Sequence, residues 1–164
     1  MPEIYKPADE GDVSHLVQQA SAAEVSFEII GAGSKRNVGR PSETTFVLCT
    51  ENLRGVTLYE PTELVISAHA GTPMATIETE LAKHNQQLAF EPIDLGNATA
   101  GERATATIGG IVAGNLSGSR RVYSGAARDH LLGIRAVNGR GEIFKSGGRV
   151  MKNVTGYDLC KTMA

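Results

Sequence analysis

The pattern of apolar and polar positions changes character about halfway along the chain. Asp9 to Ala23 repeats apolar residues at helical spacing, with Val13, Leu16, Val17 and Ala20 on one side. Asp9 or Asp12 is placed to cap its start. "SFEII" (Ser26 to Ile30) then reads as a buried strand, and "TFVLCT" (Thr45 to Thr50) as a second. "GVTLYEP" and "ELVISAHA" read as a hairpin turning at Pro61-Thr62. "GTPMATIETELAKHNQQL" is the clearest helix, with Thr72 as N-cap and Pro73 at the first helical position. Met74, Ile77, Leu81 and either His84 or Leu88 form its apolar side. From Pro92 to Gly125 the pattern dissolves into small residues, with a short helix starting at Ile108. "HLLGIRAVNGRGEIFKSGG" returns to strand alternation, and Asn138-Gly139 is its predicted turn. "KNVTGYDLCKTMA" reads as a loop entering a helix. This mixed order predicts an α+β fold rather than a regular parallel α/β sheet.

Length and composition narrow the picture. The 164 residues suffice for one domain, or for two small lobes sharing a core, about 1–95 and 96–164. A net charge of -2 implies no general attraction to nucleic acid or to a membrane surface. No apolar run approaches the ~20 residues of a membrane span. "MPEIYKPADE" lacks the basic and apolar regions of a signal peptide, so the cytoplasm is the expected compartment. Cys49 and Cys160 lie far apart, with no second cysteine or histidine at metal-ligand spacing, and read as reduced, partly buried thiols. His15, His69, His84 and His130 form no H-x-x-H or HExxH pair, so no metal site is expected.

Glycine is the unusual quantity. There are 19, against the ~7% of an average protein. Twelve fall between Gly96 and Gly148. Because glycine costs folding entropy, such a cluster signals positive φ angles or backbone lying close against something. Gly31-Ala32-Gly33-Ser34-Lys35-Arg36 follows a predicted strand and can present N–H groups, a hydroxyl and two cations to a phosphate. It is neither a dinucleotide fingerprint, since Arg36 stands where the third glycine belongs, nor a P-loop. Taken alone, these residues read first as a tight turn with no ligand and second as a phosphate site. Thr105, Thr107, Ile108, Gly109 and Gly110 then set hydroxyls beside bare backbone, continued by Gly114-Asn115 and Ser117-Gly118. Arg120 and Arg121 read as solvated surface or as phosphate contacts.

"GAGSKRNVGRP", "PTELVISAHAGTP", "TIGGIVAGNLSGSRRVYSGAARDHLLGIRAVNGRGEI" and "GGRVMKNVTGYDL" resemble, in this order, the FAD-binding domains of the vanillyl-alcohol oxidase type, also called PCMH-type. Within that family the likeness is greatest to the FAD-binding subunits of bacterial glycolate oxidases. The combination of "RRxxSGxxRDxxLGxR" with "VMKNVxGYDL" carries most of its specificity, and the likeness extends from about Ile4 to Met163. It implies two α+β lobes with extended FAD between them.

By the same resemblance Gly31, Ala32, Gly33, Ser34 and Lys35 cradle the pyrophosphate, and Gly71 and Thr72 lie near the adenosine half. Pro92 opens the segment passing the cofactor. Thr107, Ile108, Gly109 and Gly110 pack against pyrophosphate and flavin, and Gly114, Ser117 and Gly118 continue that loop. Tyr123, Ser124, Gly125 and Asp129 precede the next strand, and Gly156, Tyr157 and Asp158 form a loop near the flavin. Plainer readings stand beside these. Tyr157 also reads as a core aromatic, Asp129 as a cap or partner of Arg128 or Arg135, Asp158 as the cap of the last helix, and Lys152 as a surface charge.

The resemblance implies a flavin-dependent oxidation of a 2-hydroxy acid to a 2-oxo acid. The partners it implies are a second flavoprotein and an iron–sulfur subunit, in a complex cytoplasmic or peripheral to the inner membrane. Many members attach FAD through a histidine in the first glycine loop. Here that loop reads Gly33-Ser34-Lys35, so non-covalent FAD is expected. A further flavin contact and a substrate-facing cap domain are expected beyond residue 164, with most of the catalytic groups, so no catalytic residue is named. The alternative is a non-catalytic FAD-binding or partner-binding subunit of such a complex. An enolpyruvyl-sugar reductase is a fainter alternative, and "KNVTGYDL" points away from it.

Overall fold

The N-terminal part is built around one central, largely buried strand. The computed structural model describes residues 2–36, 38–95, 106–148 and 156–164. Strand β3 (Phe46–Cys49) lies between β1 (Glu3–Tyr5) and β2 (Phe27–Ile30), and both neighbours run parallel to it. Val47, Leu48 and Cys49 are buried, as expected of a central strand with both faces covered. β2 is an edge, so the predicted buried strand is only half-buried, and Ile29 is 72% exposed. β1 is too short for periodicity to reveal.

Helix α1 (Glu10–Ala22) starts where predicted: Asp9 is the N-cap, its carboxylate accepting from the Asp12 N–H at 2.9 Å. It ends without glycine, because Glu24 takes the left-handed conformation (φ 55°) and the Val25 N–H returns to the Ala20 carbonyl at 2.9 Å. β4 (Val56–Glu60) and β5 (Val65–Ala68) form the predicted hairpin, turned by one 3-10 turn, Pro61–Glu63.

Helix α2 (Met74–Ala82) is shorter than its periodicity predicts and lacks the predicted cap. Pro73 occupies the N-cap position, and the Thr72 hydroxyl turns inward to the Gly55 N–H (2.9 Å) and the His69 carbonyl (2.6 Å). Asn85, at φ 55°, stops the helix, and the Gln86 N–H closes on the Leu81 carbonyl at 3.0 Å. His84 is therefore exposed, while Leu88 reaches the core from the following segment. That core joins Met74, Ile77 and Leu81 to Phe90, Ala106, Ile111 and Ala127. Ile77 and Ile111 are almost wholly buried, each contributing roughly 2 kcal/mol of apolar burial.

The short helix at Ile108 is present as α3 (Ile108–Ala113), followed by α4 (Arg121–Ser124) and a 3-10 turn, Ala127–His130. β6 (Gly133–Val137) and β7 (Ile143–Gly147) pair antiparallel. Their turn is not the predicted two-residue Asn-Gly type. Asn138 Oδ1 accepts from the N–H groups of Arg140 (2.9 Å) and Glu142 (3.0 Å), and the positive φ falls at Gly141 (78°). This hairpin leans on α1, where the Ser14 hydroxyl donates to the Gly141 carbonyl at 2.5 Å and Glu10 pairs with Arg135. Helix α5 (Leu159–Thr162) ends the described chain. The whole is α+β. Among the described residues no helix is long and apolar enough to cross a membrane, and no cluster of histidine, cysteine and acidic side chains could hold a metal ion. Cys49 and Cys160 are free and buried.

Candidate functional site

Three segments meet beside α2. The first is the turn after β2, the second is the approach to α2 at Ala70–Pro73, and the third is Ala106–Gly110. Antiparallel bonds join the latter two: Ile108 N–H to Thr72 O (3.0 Å), Gly109 N–H to Ala70 O (2.9 Å) and Met74 N–H to Ala106 O (2.9 Å). The first segment closes on the third at Gly31, where a Cβ would overlap the Thr107 hydroxyl. Gly33 turns the chain at φ 74°, and Ser34 is buried.

Lys35 is half-buried and reaches over α3, its ammonium 3.0 Å from where a Cβ of Gly110 would stand. Burial pushes the Lys35 pKa down, and the Asp94 carboxylate opposes that shift. Asp94 also accepts from the Ala106 N–H at 3.2 Å. Among the described residues no carboxylate forms an ion pair with Lys35. Arg36, read as a second phosphate cation, is instead bonded through two nitrogens to Glu28 of β2, at 2.9 and 2.5 Å. A half-desolvated ammonium beside bare glycine backbone is the donor chemistry a phosphate group needs, so these residues fit a phosphate-bearing cofactor.

The loop after α3 is held mainly by its own chain. Ser117 is buried and its hydroxyl accepts from the Ala127 N–H at 2.9 Å; Asn115 Oδ1 accepts from the Arg128 N–H at 3.0 Å. Gly118 lies so close to Glu91 that a Cβ there would stand 2.8 Å from the Glu91 Cβ. Glu91 accepts from the Arg120 N–H at 2.8 Å.

The resemblance's residues thus divide. The turn 31–35 meets the segment 107–110 at two points, Gly31 with Thr107 and Lys35 with Gly110. Gly71 and Thr72 adjoin them as structure: Gly71 packs on the Thr50 and Leu53 carbonyls, and Thr72 is fully buried. Pro92 follows Glu91 and is half-buried; Gly114 packs against Leu116. Tyr123 is 96% and Tyr157 92% exposed, which removes the core-aromatic reading of Tyr157. Ser124 offers its carbonyl to His130 Nε2 at 2.6 Å. Gly125, at φ 81°, packs against Asp129, which accepts from the Ala126 N–H at 2.9 Å and so serves as a turn cap. Gly156 takes φ 80° in open space, and Asp158 caps α5 through the Lys161 N–H at 3.2 Å. Thr105 and Lys152 lie outside the described residues. Sequence reasoning missed Asp94 and Glu91. The signal was two carboxylates flanking Pro92-Ile93.

Comparisons with known proteins bear directly on these loops. The FAD binding domain family matches residues 2–147. Glycolate oxidase subunit GlcE of Escherichia coli (strain K12) is 44% identical over 149 residues, covering 90% of this chain and 40% of that protein. A D-lactate dehydrogenase of Archaeoglobus fulgidus is 28% identical over 157 residues, 95% of this chain and 33% of that protein. Among solved structures, an alkyldihydroxyacetonephosphate synthase superposes with a TM-score of 0.67 at 22% identity, over 90% of this chain and 27% of that one. A Phl p 4 variant described as a glucose oxidase reaches 0.70 at 16% identity, over 92% and 29%. The two structures share the fold alone, and the chain spans 40% or less of the length of each of these proteins. With the converging glycine loops and this match over most of its length, the chain belongs to the FAD binding domain family.

Proposed function

We propose that this chain is the FAD-holding part of a flavin-dependent 2-hydroxy-acid oxidoreductase of the glycolate oxidase type, with its cofactor bound non-covalently between lobes at about 1–95 and 96–164. When bound, FAD would supply the acceptor, at flavin N5, for the hydride leaving C2 of the hydroxy acid, which becomes a 2-oxo acid. The observation that carries this reading is the approach of Lys35 to Gly110, within loops that the family match covers. Lys35 neutralises pyrophosphate charge. The turn from Gly31 to Ser34 brings backbone to it, and Thr107 and Gly109 tie the two halves of the cradle together. Tyr123 and Tyr157 offer exposed aromatic faces. Non-covalent attachment is supported by the lack of histidine and cysteine from Gly31 to Arg36. No residue of this chain is assigned as the base for the hydroxyl proton or as the cation for the carboxylate. A second flavoprotein and an iron–sulfur subunit are the proposed partners, and the cytoplasm or the cytoplasmic side of the inner membrane is the proposed place.

One observation favours the alternative of a non-catalytic subunit. Gly31, Gly109 and Gly118 are required by contacts within the chain, so their retention does not by itself demand a ligand. An absorption spectrum of the concentrated protein, followed by titration with FAD, separates an FAD-holding chain from a partner-binding one. Flavin bands that acid precipitation releases into the supernatant support the leading reading. Flavin left on the polypeptide rules out non-covalent attachment, and failure to bind added FAD favours the partner-binding form of the alternative.

A further inference from the structure

We propose that Glu91 is a positioning residue: with Phe90 it clasps both ends of α4 and so sets the loop 117–125, with its outward-facing Tyr123, in place for the cofactor. What the loop holds rests on the FAD reading above; the clasp itself does not.

α4 has four residues, too few to hold a helix by its own hydrogen bonds. Its N-cap position is Arg120, whose side chain makes no capping bond. Glu91 provides the cap from a distant segment. Its Oε2 accepts from the Arg120 N–H at 2.8 Å and the Ser119 hydroxyl at 3.4 Å, and its Oε1 lies 3.4 Å from Arg120 Nε. Its backbone carbonyl takes the Gly118 N–H at 2.8 Å. The Arg120 carbonyl in turn accepts from the N–H groups of Tyr123 and Ser124, both at 2.9 Å. Fixing Arg120 therefore fixes Tyr123.

The other end of α4 is held by the neighbouring residue. Phe90, buried, packs on the His130 ring with centroids 5.4 Å apart, and His130 Nε2 donates to the Ser124 carbonyl at 2.6 Å. Glu91 keeps a left-handed backbone, φ 50°, a conformation that costs a glutamate energy and persists only where its surroundings impose it. The exposed ion pair with Arg120 is the weakest part of the arrangement, and the bonds to backbone N–H carry the positioning.

Glu91→Ala, Glu91→Gly and Glu91→Gln separate these contributions. Glycine relieves the backbone but removes the carboxylate, whereas glutamine keeps an acceptor for the Arg120 N–H. In the ligand-free protein, amide exchange at Tyr123, Ser124 and Gly125 should quicken at least about tenfold in the alanine and glycine variants, with α2 amides unchanged. The glutamine variant should recover most of the protection. The FAD dissociation constant should rise at least about tenfold in the same two variants and be largely restored by glutamine. Unchanged exchange at those three amides overturns the clasp. Faster exchange with unchanged FAD affinity overturns the positioning role. A parent chain that binds no FAD overturns the cofactor reading, and is told apart from failure of the clasp because exchange is measured without FAD.

Discussion

Gly31–Arg36 and Ala106–Gly125 are both rich in glycine, yet their glycines face different things. In the longer segment Gly109 lies against the Ala70 backbone, Gly118 against Glu91 and Gly125 against Asp129. There the absent side chain makes room for the chain itself. In the shorter turn, only Gly31 is crowded by another segment, at the Thr107 side chain. Gly33 meets nothing closer than its own neighbour Arg36, and its positive φ is what asks for glycine. Gly110, though in the longer segment, belongs with the turn: what approaches it is the flexible end of Lys35. A count of glycines therefore measures packing more than ligand, and the part left for the proposed cofactor narrows to Gly33, Lys35 and Gly110.

Adjacent glycines test this division most severely. A Cβ on Gly109 would stand 2.8 Å from the Ala70 carbonyl oxygen, where only backbone can give way. Gly109→Val should cost about 3 kcal/mol of stability, read as a fall in the thermal midpoint on the order of 10 °C. A Cβ on Gly110 meets only Lys35 Nζ at 3.0 Å and Thr107 Oγ1 at 3.4 Å. Gly110→Val should therefore stay within about 1 kcal/mol of the parent while raising the FAD dissociation constant at least about a hundredfold. If both variants lost stability alike, or Gly110→Val bound FAD as the parent does, the division would fail.

How much of this was legible in the sequence depends on how local each cause is. α1 with its Asp9 cap, both hairpins and the start of α3 follow from periodicity and turn chemistry within a few residues. β1 did not, because three residues become a strand only through pairing with β3 some forty residues later. Thr72 resembled an N-cap, but its hydroxyl found Gly55 across a turn. The end of α2 was set by left-handed Asn85 rather than by loss of the apolar stripe. In the site, the glycine and hydroxyl positions were legible as a motif. Glu91 and Asp94 were not, since each acts on backbone that returns to it from 12 to 29 residues away.

Lys35→Met sharpens the comparison from the side of charge. Because burial holds the Lys35 pKa below the ordinary lysine value, the unfolded chain grips that proton more tightly than the folded one. Charged Lys35 thus costs stability at neutral pH, and the cost disappears as pH rises through the folded pKa toward the unfolded one. The methionine variant should melt above the parent at pH 7, and the gap should narrow as the pH rises toward the ordinary lysine pKa. Its FAD affinity should fall about tenfold. A variant that melts below the parent would mean that Lys35 serves the fold rather than a ligand.

Tyr123 should show the smallest effect on the fold, and it separates scaffold from surface within the longer segment itself. Its ring is 96% exposed, while its N–H is bonded to the Arg120 carbonyl at 2.9 Å. The backbone thus belongs to the clasped scaffold and the side chain to solvent. Removing the ring deletes almost no buried area, and alanine is the better helix former at that place in α4. Tyr123→Ala should therefore change stability by no more than about 0.5 kcal/mol. Any weakening of FAD binding in this variant then reports the ring alone, because the fold beneath it is unaltered. A large drop in the thermal midpoint would show instead that the ring packs on this chain, and the longer segment would lose its claim to an outward-facing surface.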